Sequence, residues 1–357
     1  MMKIALFAPS TSTHTQKWAL GLKKHGLDVC VITFANHYSK ENAEKVETYA
    51  LPQYLPGKLS YLTTVFALRS LLSQIKPEIV HAHYASSYGF VAGLARIQPL
   101  YLSVWGSDIY QFPKKPLNKR ILSFSLASAT YICSTSQAML QETEKYTDKS
   151  IELIPFGVDT DYFTPDPLQK SSGEFHIGIA KSLKDIYGFP KLIEAFAKLV
   201  NEEDCVHLVI IGDGPEKERY QKMVEKLGIV DQVTFAGFVP QEELPQLLTQ
   251  LDLFVLPSES ESFGVSALEA EACGVPVIVN NVGGLPEVVK HGVTGMIMPN
   301  NSPEEIYKAM KTLLNDDYNR HQMEGNAVQF VRDHYQWNDC VQKMIDLYKQ
   351  SMEKKLY

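Results

Sequence analysis

Residues 258–277, SESESFGVSALEAEACGVPV, combine features that an ordinary core segment lacks. The stretch follows an apolar run, opens with serines and acids, and passes through small residues into a second apolar run. Serine before a helix and Cys-Gly after it are typical helix boundaries, because Ser caps free N–H groups and Gly adopts the left-handed turn. Two glutamates, Glu261 and Glu269, lie eight residues apart across a Phe-Gly turn. Carboxylates at both ends of such a segment need an explanation beyond packing.

Short apolar runs alternate with amphipathic segments on both sides of this stretch, a pattern typical of βαβ units and a parallel sheet. Predicted strands in the first half are residues 3–9, 28–34, 78–84, 100–105, 130–134 and 151–155. Those in the second half are residues 175–181, 206–214, 232–238, 251–258, 275–280 and 294–299. From about Pro303 onward the pattern is helical without a strand. The sequence therefore predicts an α/β protein with two Rossmann-like domains facing a cleft and a helical tail.

The 357 residues exceed what one typical core holds, which favours two domains. We predict an N-terminal domain over residues 1–160, a Pro-, Ser- and Gly-rich linker over 161–174, and a C-terminal domain over 175–335. Residues 336–357 form the tail. Ligands of open α/β sheets bind beyond the carboxyl ends of the strands, so the loops after these strands should line the cleft.

Composition excludes several classes of protein. No run of about 18 apolar residues exists, so no membrane span is expected. The first residues are typical of a buried strand and not of a signal peptide. Five scattered cysteines without Cys-x-x-Cys spacing argue against a disulfide framework or a metal site, and favour the cytoplasm.

The net charge of −7 is unevenly distributed. Residues 1–160 hold 16 Lys and Arg against 11 Asp and Glu, whereas the remainder holds 18 against 30. The densest basic segment, FPKKPLNKR at residues 112–120, is too short and too poor in aromatic residues to indicate nucleic acid. Either the asymmetry reflects solvated faces alone, or the first half meets an anionic partner such as lipid headgroups or a phosphorylated acceptor.

Common nucleotide motifs are weak or missing. Gly212 and Gly214 follow a predicted strand and open a helix, which alone is a weak phosphate-binding signal. The first strand leads into PSTSTHT without a glycine, which disfavours a nicotinamide enzyme. Walker A, His-Glu-x-x-His and Gly-x-Ser-x-Gly motifs are absent.

The spacing of Glu261 and Glu269 suits an elongated ligand. Eight helical residues span about 12 Å and place the two on different faces, whereas paired glycosidase carboxyls lie about 5 to 9.5 Å apart. Between them, backbone N–H groups near Phe263, Gly264 and Val265 begin a helix whose dipole favours a phosphate. Two carboxylates could each bind a hydroxyl-rich group, and the helix N-terminus between them could bind a phosphate. A nucleotide sugar has these groups in this order. The alternative is an exposed cap residue followed by a solvated helix residue.

The segment ESFGVSALEAEACGVPVIV resembles the Glu-x7-Glu signature of the family 4 retaining glycosyltransferases of the GT-B fold. The other segments that agree in order and spacing are HTQKWALGLKKHG, IVHAHY, VWGSDIY, LIPFGVD, KSLKDIYGFPKLIEAF, VIIGDGPEK, VTFAGFVP and VGGLPEVVKHGVTGMIM. Together they cover nearly the whole chain. The resemblance implies that the C-terminal domain binds a nucleotide sugar, that the N-terminal domain binds the acceptor, and that the last helix crosses back to the N-terminal domain.

The resemblance assigns donor contacts residue by residue. Glu269 should bind the ribose hydroxyls, and Glu261 a hydroxyl of the donor sugar. The further donor contacts that it implies are Gly212, Gly214, Phe238, Val239, Ser262, Phe263, Gly264 and Val265. Phe238 and Val239 should meet the base through their main chain.

The family uses two basic residues after the first C-terminal strand to neutralise the diphosphate. Lys181 matches the first position. The second is normally a Lys just before the Gly that opens the next helix, but here Tyr187 precedes Gly188. Lys184 is the nearest basic residue, and it is either the replacement or a solvated loop lysine.

In the N-terminal domain the sequence departs from the family pattern twice. The first loop lacks the usual glycines and instead offers Ser12, Thr13 and His14 to the acceptor. Where relatives have His-Gly, this chain has Trp105-Gly106-Ser107-Asp108. The residues expected to bind the acceptor are Ser12, Thr13, His14, Trp105, Gly106 and Asp108. We predict that Asp108 orients an acceptor hydroxyl and that His83 or His14 replaces the family histidine, whereas His81 is a core group.

These features predict transfer of a hexosyl group from a nucleoside-diphosphate sugar to an acceptor hydroxyl with retention of anomeric configuration. UDP is favoured by family frequency, and the acceptor should be a glycan or glycolipid of cell-surface polysaccharide or glycolipid synthesis. Lys181, the helix start at Phe263 and, if it takes part, Lys184 stabilise the departing diphosphate. No metal or other cofactor is expected. The alternatives are a nucleotide-sugar epimerase, a glycan phosphorylase and a bilobed sugar-binding protein.

Overall fold

The structure is a computed structural model that describes residues 1–53, 60–166 and 173–353. Contacts among these residues divide the chain into two compact units. The first comprises Met1–Pro155 with the described residues from Asn338 onward, and the second comprises Phe156–Trp337. Part of the predicted linker, residues 167–172, and the end of the predicted tail, residues 354–357, lie outside the described residues.

Parallel strands form the sheet of the first unit. The strands are β1 Lys3–Phe7, β2 Asp28–Phe34, β3 Thr48–Leu51, β4 Ile79–His83, β5 Leu100–Ser103, β6 Tyr131–Ser134 and β7 Ile151–Leu153. The helices before Pro155 are α1 Thr13–Lys24, α2 Lys40–Lys45, α3 Ser60–Ile75, α4 Tyr88–Leu94, α5 Ser107–Tyr110, α6 Pro116–Ser128 and α7 Gln137–Glu144. In the order β3-β2-β1-β4-β5-β6-β7, the reversal falls between β1 and β4, so the loops after these strands are the expected ligand site.

The sheet of the second unit is also parallel, in the order β10-β9-β8-β11-β12-β13. Its strands are β8 Phe175–Ala180, β9 Val206–Ile211, β10 Val233–Gly237, β11 Leu253–Leu256, β12 Val277–Asn280 and β13 Gly295–Met298. Its helices are α8 Phe189–Val200, α9 Lys217–Leu227, α10 Leu244–Leu248, α11 Val265–Ala272, α12 Leu285–Val288, α13 Pro303–Leu314 and α14 Asp317–Tyr335. This is the Rossmann order, and its switch point lies between β8 and β11.

The two parallel-sheet units and the helical end of the chain were predicted from the sequence, and the structure confirms them. Buried apolar residues occupy all positions of β4, β11 and β12 except the two histidines of β4 and Asn280, which is why the runs were recognisable. The strand β3 was missed, because among its four residues only Leu51 is fully buried and the strand lies at an edge.

The last helix, α15 Trp337–Glu353, packs from Asn338 onward with the first unit. Tyr348 lies against β4 and β5, where its hydroxyl is hydrogen-bonded to His81 Nδ1 at 2.6 Å. Tyr101 of β5 donates to the Ser351 hydroxyl. Polar side chains therefore fix this helix on the sheet in addition to apolar packing. Within the described part of the chain, we found no helix with the length and apolar character needed to cross a membrane.

Candidate active site

Lys181 lies in the loop after β8, at the switch point of the second sheet. Its amide donates to Ile211 O at 3.0 Å, and the Leu183 amide donates to Asp213 O at 3.0 Å. A Cβ at Gly214 would lie 2.6 Å from Leu183 N, so any larger residue would displace this loop. Gly212 and Gly214 therefore hold the Lys181 loop in place, and their predicted contact with the donor stays a prediction.

The Lys181 ammonium forms an ion pair with Glu261 at a distance of 2.7 Å. The two side chains are only 16% and 10% exposed. Burial by itself would lower the pKa of Lys181, but the charge and hydrogen bond of Glu261 outweigh burial and raise this pKa above its ordinary value. The site thus holds a fixed positive charge, and Glu261 is not the exposed cap residue of the alternative interpretation.

Glu261 lies in the loop between β11 and α11, as its position before the helix suggested. Gly284 N donates to Glu261 O at 3.2 Å, and a Cβ at Gly283 would lie 1.8 Å from the same oxygen. Gly283 has a φ of +52°, which other residues adopt only with strain. The pair Gly283-Gly284 was not among the predicted site residues, although two glycines after a predicted strand are a recognisable signal of close backbone approach.

Helix α11 begins at Val265, and Gly264 before it has a φ of +111°. The first amides of a helix have no intrahelical acceptor, so this N-terminus directs N–H groups and the positive end of the dipole into the loop. That loop contains Ser262 and Phe263, two of the predicted donor contacts. The structure therefore places an anion-attracting helix end beside the Lys181–Glu261 pair.

Glu269 lies in the second turn of α11 and is 7% exposed. Gln241 Nε2 donates to its Oε1 at 3.0 Å. Glu269 also contributes to the raised pKa of Lys181, after Glu261 and Tyr187. The carboxylate is therefore buried near the same cation, and it is not a solvated helix residue. Gln241 was not among the predicted contacts, because nothing in its local sequence distinguishes it.

Lys184 and the predicted base-binding residues Phe238 and Val239 have exposed or half-buried side chains. Lys184 is exposed and immediately precedes the turn Asp185–Tyr187. The ring centroid of Tyr187, in this turn, lies 5.1 Å from Lys181 Nζ. Phe238 follows β10 with an exposed side chain, and Val239 is half-buried, so the predicted main-chain contact with the base remains a prediction.

In the first unit, aromatic rings at the carboxyl ends of β1, β4 and β5 and in the segments that follow them lie close together. The ring of Trp105 lies 4.2 Å from that of His83, 5.1 Å from that of Tyr84 and 5.9 Å from that of His14. His14 and Trp105, which were predicted to bind the acceptor, and His83, which was predicted to replace the family histidine, are therefore neighbours.

Both carboxylate oxygens of Asp108 accept hydrogen bonds from backbone amides. Its Oδ2 accepts from Ala85 N at 2.9 Å, and its Oδ1 accepts from Trp105 N at 3.2 Å and Gly106 N at 2.9 Å. Burial raises the pKa of Asp108, while these amide donors oppose that rise. The residue thus joins the loops after β4 and β5, and this arrangement favours a positioning role over the predicted contact with an acceptor hydroxyl.

Ser12 and Thr13 lie at the start of α1. The Ser12 hydroxyl accepts from Thr15 N at 3.4 Å and caps the helix, whereas the Thr13 side chain is exposed. Thr13 is therefore accessible to a ligand, and Ser12 has a structural role in addition to any contact with an acceptor.

The two histidines of β4 differ in their hydrogen bonds. His81 bonds Tyr348 at Nδ1 and Ser103 Oγ at Nε2, 2.8 Å away, and burial lowers its pKa to about 3. It is a core group, as predicted. His83 is equally buried, and among the described residues its Nδ1 has no hydrogen-bond partner. Burial, followed by the nearby His81 and His14, lowers the pKa of His83 well below its ordinary value, so the ring is neutral.

A half-buried cation, a carboxylate and a helix N-terminus at the switch point of a Rossmann-type sheet are typical of one class of protein, the nucleotide-binding α/β enzymes. Comparison with known proteins narrows it. The family described as Glycosyl transferases group 1 matches residues 163–330, and that described as Glycosyl transferase 4-like matches residues 3–136. The chain belongs to the group 1 glycosyltransferase family and is a glycosyltransferase.

Two curated relatives resemble most of the chain. The N-acetyl-alpha-D-glucosaminyl L-malate synthase of Bacillus anthracis is 29% identical over 321 residues, which span 85% of this chain and 82% of the relative. The D-inositol 3-phosphate glycosyltransferase of Corynebacterium jeikeium is 30% identical over 296 residues, 74% of this chain and 70% of the relative. These similarities support the family assignment and favour glycosyl transfer over the epimerase, phosphorylase and binding-protein alternatives.

A solved structure shows the same fold. HepE of Anabaena, determined in complex with UDP, superimposes with a TM-score of 0.85 at 21% identity, covering 98% of this chain and 100% of HepE. The predicted GT-B architecture is therefore confirmed at the level of fold.

Proposed function

We propose that this protein transfers a hexosyl group from a nucleoside-diphosphate sugar to an acceptor hydroxyl and retains the anomeric configuration. The observation that carries this proposal is the half-buried Lys181–Glu261 pair beside the N-terminus of α11. A diphosphate leaving group develops negative charge as the glycosidic bond breaks, and a fixed cation with a helix dipole stabilises that charge. Glu269 would bind the ribose hydroxyls and Glu261 a hydroxyl of the donor sugar.

Retention follows from a front-face reaction in this proposal. Glu261 is already paired with Lys181, so it suits orientation of the sugar better than nucleophilic attack. The acceptor oxygen bonds to the anomeric carbon as the bond to the phosphate oxygen breaks, and that departing oxygen takes the acceptor's proton. Because Lys181 supplies the positive charge, we propose that no metal is required.

UDP is the proposed nucleotide, which the complex of HepE with UDP supports at the level of fold similarity. The acceptor is proposed to be anionic. The two curated relatives are named for L-malate and D-inositol 3-phosphate, which are both anions. A glycan or glycolipid that carries phosphate or carboxylate groups agrees with the excess of Lys and Arg over residues 1–160.

The first unit presents a basic and apolar surface that supports weak contact with an anionic membrane. Lys114, Lys115, Lys119 and Arg120 lie at or just before the start of α6, and all four are exposed. The same helix exposes Leu117 and Phe124, and α3 exposes Phe66 by 73%. Helix α4 packs between α3 and α6, so these side chains belong to one layer of helices. Cations with apolar side chains are typical of interfacial contact.

Nucleotide release from a panel of sugar nucleotides tests the proposed reaction. UDP-, GDP- and ADP-sugars are incubated with the wild type, Lys181→Ala and, as a matched control, Lys226→Ala, which changes an exposed lysine of α9. We expect slow release of one nucleotide by the wild type, with and without a chelator, and a loss of about 10- to 1,000-fold in Lys181→Ala only. No release from any donor, even with added acceptor candidates, or full activity of Lys181→Ala would refute the proposal.

A further inference from the structure

The Lys181 ammonium has a second neighbour that the reaction described above does not use. The ring centroid of Tyr187 lies 5.1 Å from Lys181 Nζ, within the range in which an aromatic face attracts a cation. Glu261 approaches the same ammonium at 2.7 Å. The cation is therefore held by a carboxylate and an aromatic ring.

The backbone around Tyr187 is tied to the loop that carries Glu261. Glu259 N donates to Ile186 O at 2.8 Å, directly before Tyr187. Gly188, directly after it, has a φ of +78°, and a Cβ there would lie 2.3 Å from Pro257 O. Since Pro257 and Glu259 precede Glu261 in one loop, the ring and the carboxylate belong to a single packed unit.

Side chains fix the same turn from its other side. Asp185 accepts from the Tyr220 hydroxyl at 2.9 Å and from Arg219. Tyr220 is fully buried against Phe189 of α8, with the ring centroids 5.2 Å apart. The turn Asp185–Tyr187 is thus anchored to α9 and α8, so the place of Tyr187 does not depend on its own side chain.

An aromatic ring suits this position chemically. Lysine carries three donors on a flexible stem, so binding a phosphate costs less side-chain entropy when the stem is already held. A second carboxylate would hold the ammonium but would compete for its N–H donors and repel the phosphate. A ring face attracts the ammonium without a net charge.

We propose that Tyr187 is a positioning residue, whose ring face holds the Lys181 ammonium for the phosphates of the donor. The inference rests on the proposed function, in which Lys181 contacts the donor diphosphate. It assigns the contribution to the ring, and not to the phenol hydroxyl. Loss of the ring should therefore weaken binding of the donor phosphates and leave the affinity for the nucleoside unchanged.

Calorimetric titration tests this with UDP, GDP and ADP, each compared with its nucleoside. The variants are Tyr187→Leu, which removes the ring, and Tyr187→Phe, which keeps it. Tyr318→Leu, at an exposed tyrosine of α14, is the matched control for loss of a tyrosine. We expect the nucleoside diphosphate to bind about 3- to 10-fold more weakly to Tyr187→Leu, and about equally to the wild type, Tyr187→Phe and Tyr318→Leu. Nucleoside affinity should be unchanged throughout.

A double variant tests whether the ring of Tyr187 acts through Lys181. In a Lys181→Ala background the same Tyr187→Leu change should have no further effect, because the group it positions is gone. The inference is overturned if Tyr187→Leu binds the diphosphate like the wild type, if it loses nucleoside and diphosphate affinity equally, if Tyr187→Phe is as weak, or if the loss persists without Lys181. A wild type that binds none of the nucleotides would refute the proposed function as well, and the two failures are therefore distinct.

Discussion

Glu269 is the residue whose burial most clearly needs a functional reason. It is 7% exposed, bonded to Gln241 and close enough to Lys181 to affect its pKa. If it binds the ribose, Glu269→Gln keeps the shape but replaces charge-assisted hydrogen bonds with neutral ones. Nucleoside diphosphate affinity should fall by about 10- to 100-fold in calorimetry. Glu259→Gln, in the exposed pair with Lys191, is the control and should bind normally. Unchanged affinity of Glu269→Gln would remove it from the site.

Glu271, two residues further along α11, is a buried carboxyl without an assigned function. Thr294 donates to its Oε1 at 2.6 Å, and its Oε2 has no partner among the described residues. Burial raises the pKa of Glu271 well above its ordinary value of 4.5, although the Thr294 hydrogen bond opposes this. The folded state then binds more protons than the unfolded state. Stability therefore falls as pH rises from 4.5 towards the raised pKa.

Glu271→Gln removes that dependence, because the amide stays neutral and its oxygen still accepts from Thr294. We expect a melting temperature about 2 to 4 °C higher at pH 8, with little change at pH 4.5. Thermal unfolding followed by circular dichroism at both pH values measures this, and Glu225→Gln at an exposed position of α9 is the control. A variant that is less stable than wild type at pH 8 would show that the ionised carboxylate stabilises the fold.

At the scale of elements, α15 offers the sharpest prediction. Tyr348→Phe deletes the hydroxyl that bonds His81 Nδ1 and leaves this nitrogen buried without its partner. The loss should cost about 1 to 3 kcal/mol. Hydrogen exchange should show faster exchange in α15 and β4, whereas β8 and β11 of the second unit should exchange as in the wild type. Tyr318→Phe, which changes an exposed hydroxyl, should leave both units unaffected. Equal exchange in Tyr348→Phe and wild type would mean that the bond contributes no stability.

The elements were predictable because each central strand is a short, fully buried apolar run, as in β11 and β12. Loops after such strands were expected to hold the site, and those carrying Lys181 and Glu261 do meet at the switch point of their sheet. Their contact joins residues 80 positions apart. Whether two such loops come into contact depends on the order of the strands in the sheet, which cannot be read from the local sequence.

The ring of Tyr187 beside Lys181 and the Gly283–Glu261 contact were missed for the same reason. Gly212 and Gly214 were recognised as special, and their predicted contact with the donor remains a prediction. The structure adds that both pack against the Lys181 loop, a contact that the sequence did not reveal. A glycine signals a close approach without identifying what approaches.

For the whole molecule, charge asymmetry makes a testable prediction about surfaces. Each Lys or Arg near an anionic membrane contributes about 1 kcal/mol, so the four basic residues around the start of α6 give weak, reversible attachment. The protein should sediment with anionic liposomes at low salt and be released at high salt, because salt screens exposed charges. The chain with Lys114, Lys115, Lys119 and Arg120 changed to Gln should remain in the supernatant. Liposome binding that is unchanged in this variant, or no binding of the wild type at low salt, would contradict membrane contact. A soluble anionic acceptor would then be the remaining proposal.

We propose that Lys181, Glu261 and the N-terminus of α11 together form the diphosphate site of this glycosyltransferase. A crystal structure of the protein with its nucleoside diphosphate bound tests this most directly. We expect a phosphate oxygen within about 3 Å of Lys181 Nζ, further phosphate contacts from the first amides of α11, and hydrogen bonds from the ribose hydroxyls to Glu269. A diphosphate bound in the same second unit but away from Lys181, or one seated on the first unit, would contradict it.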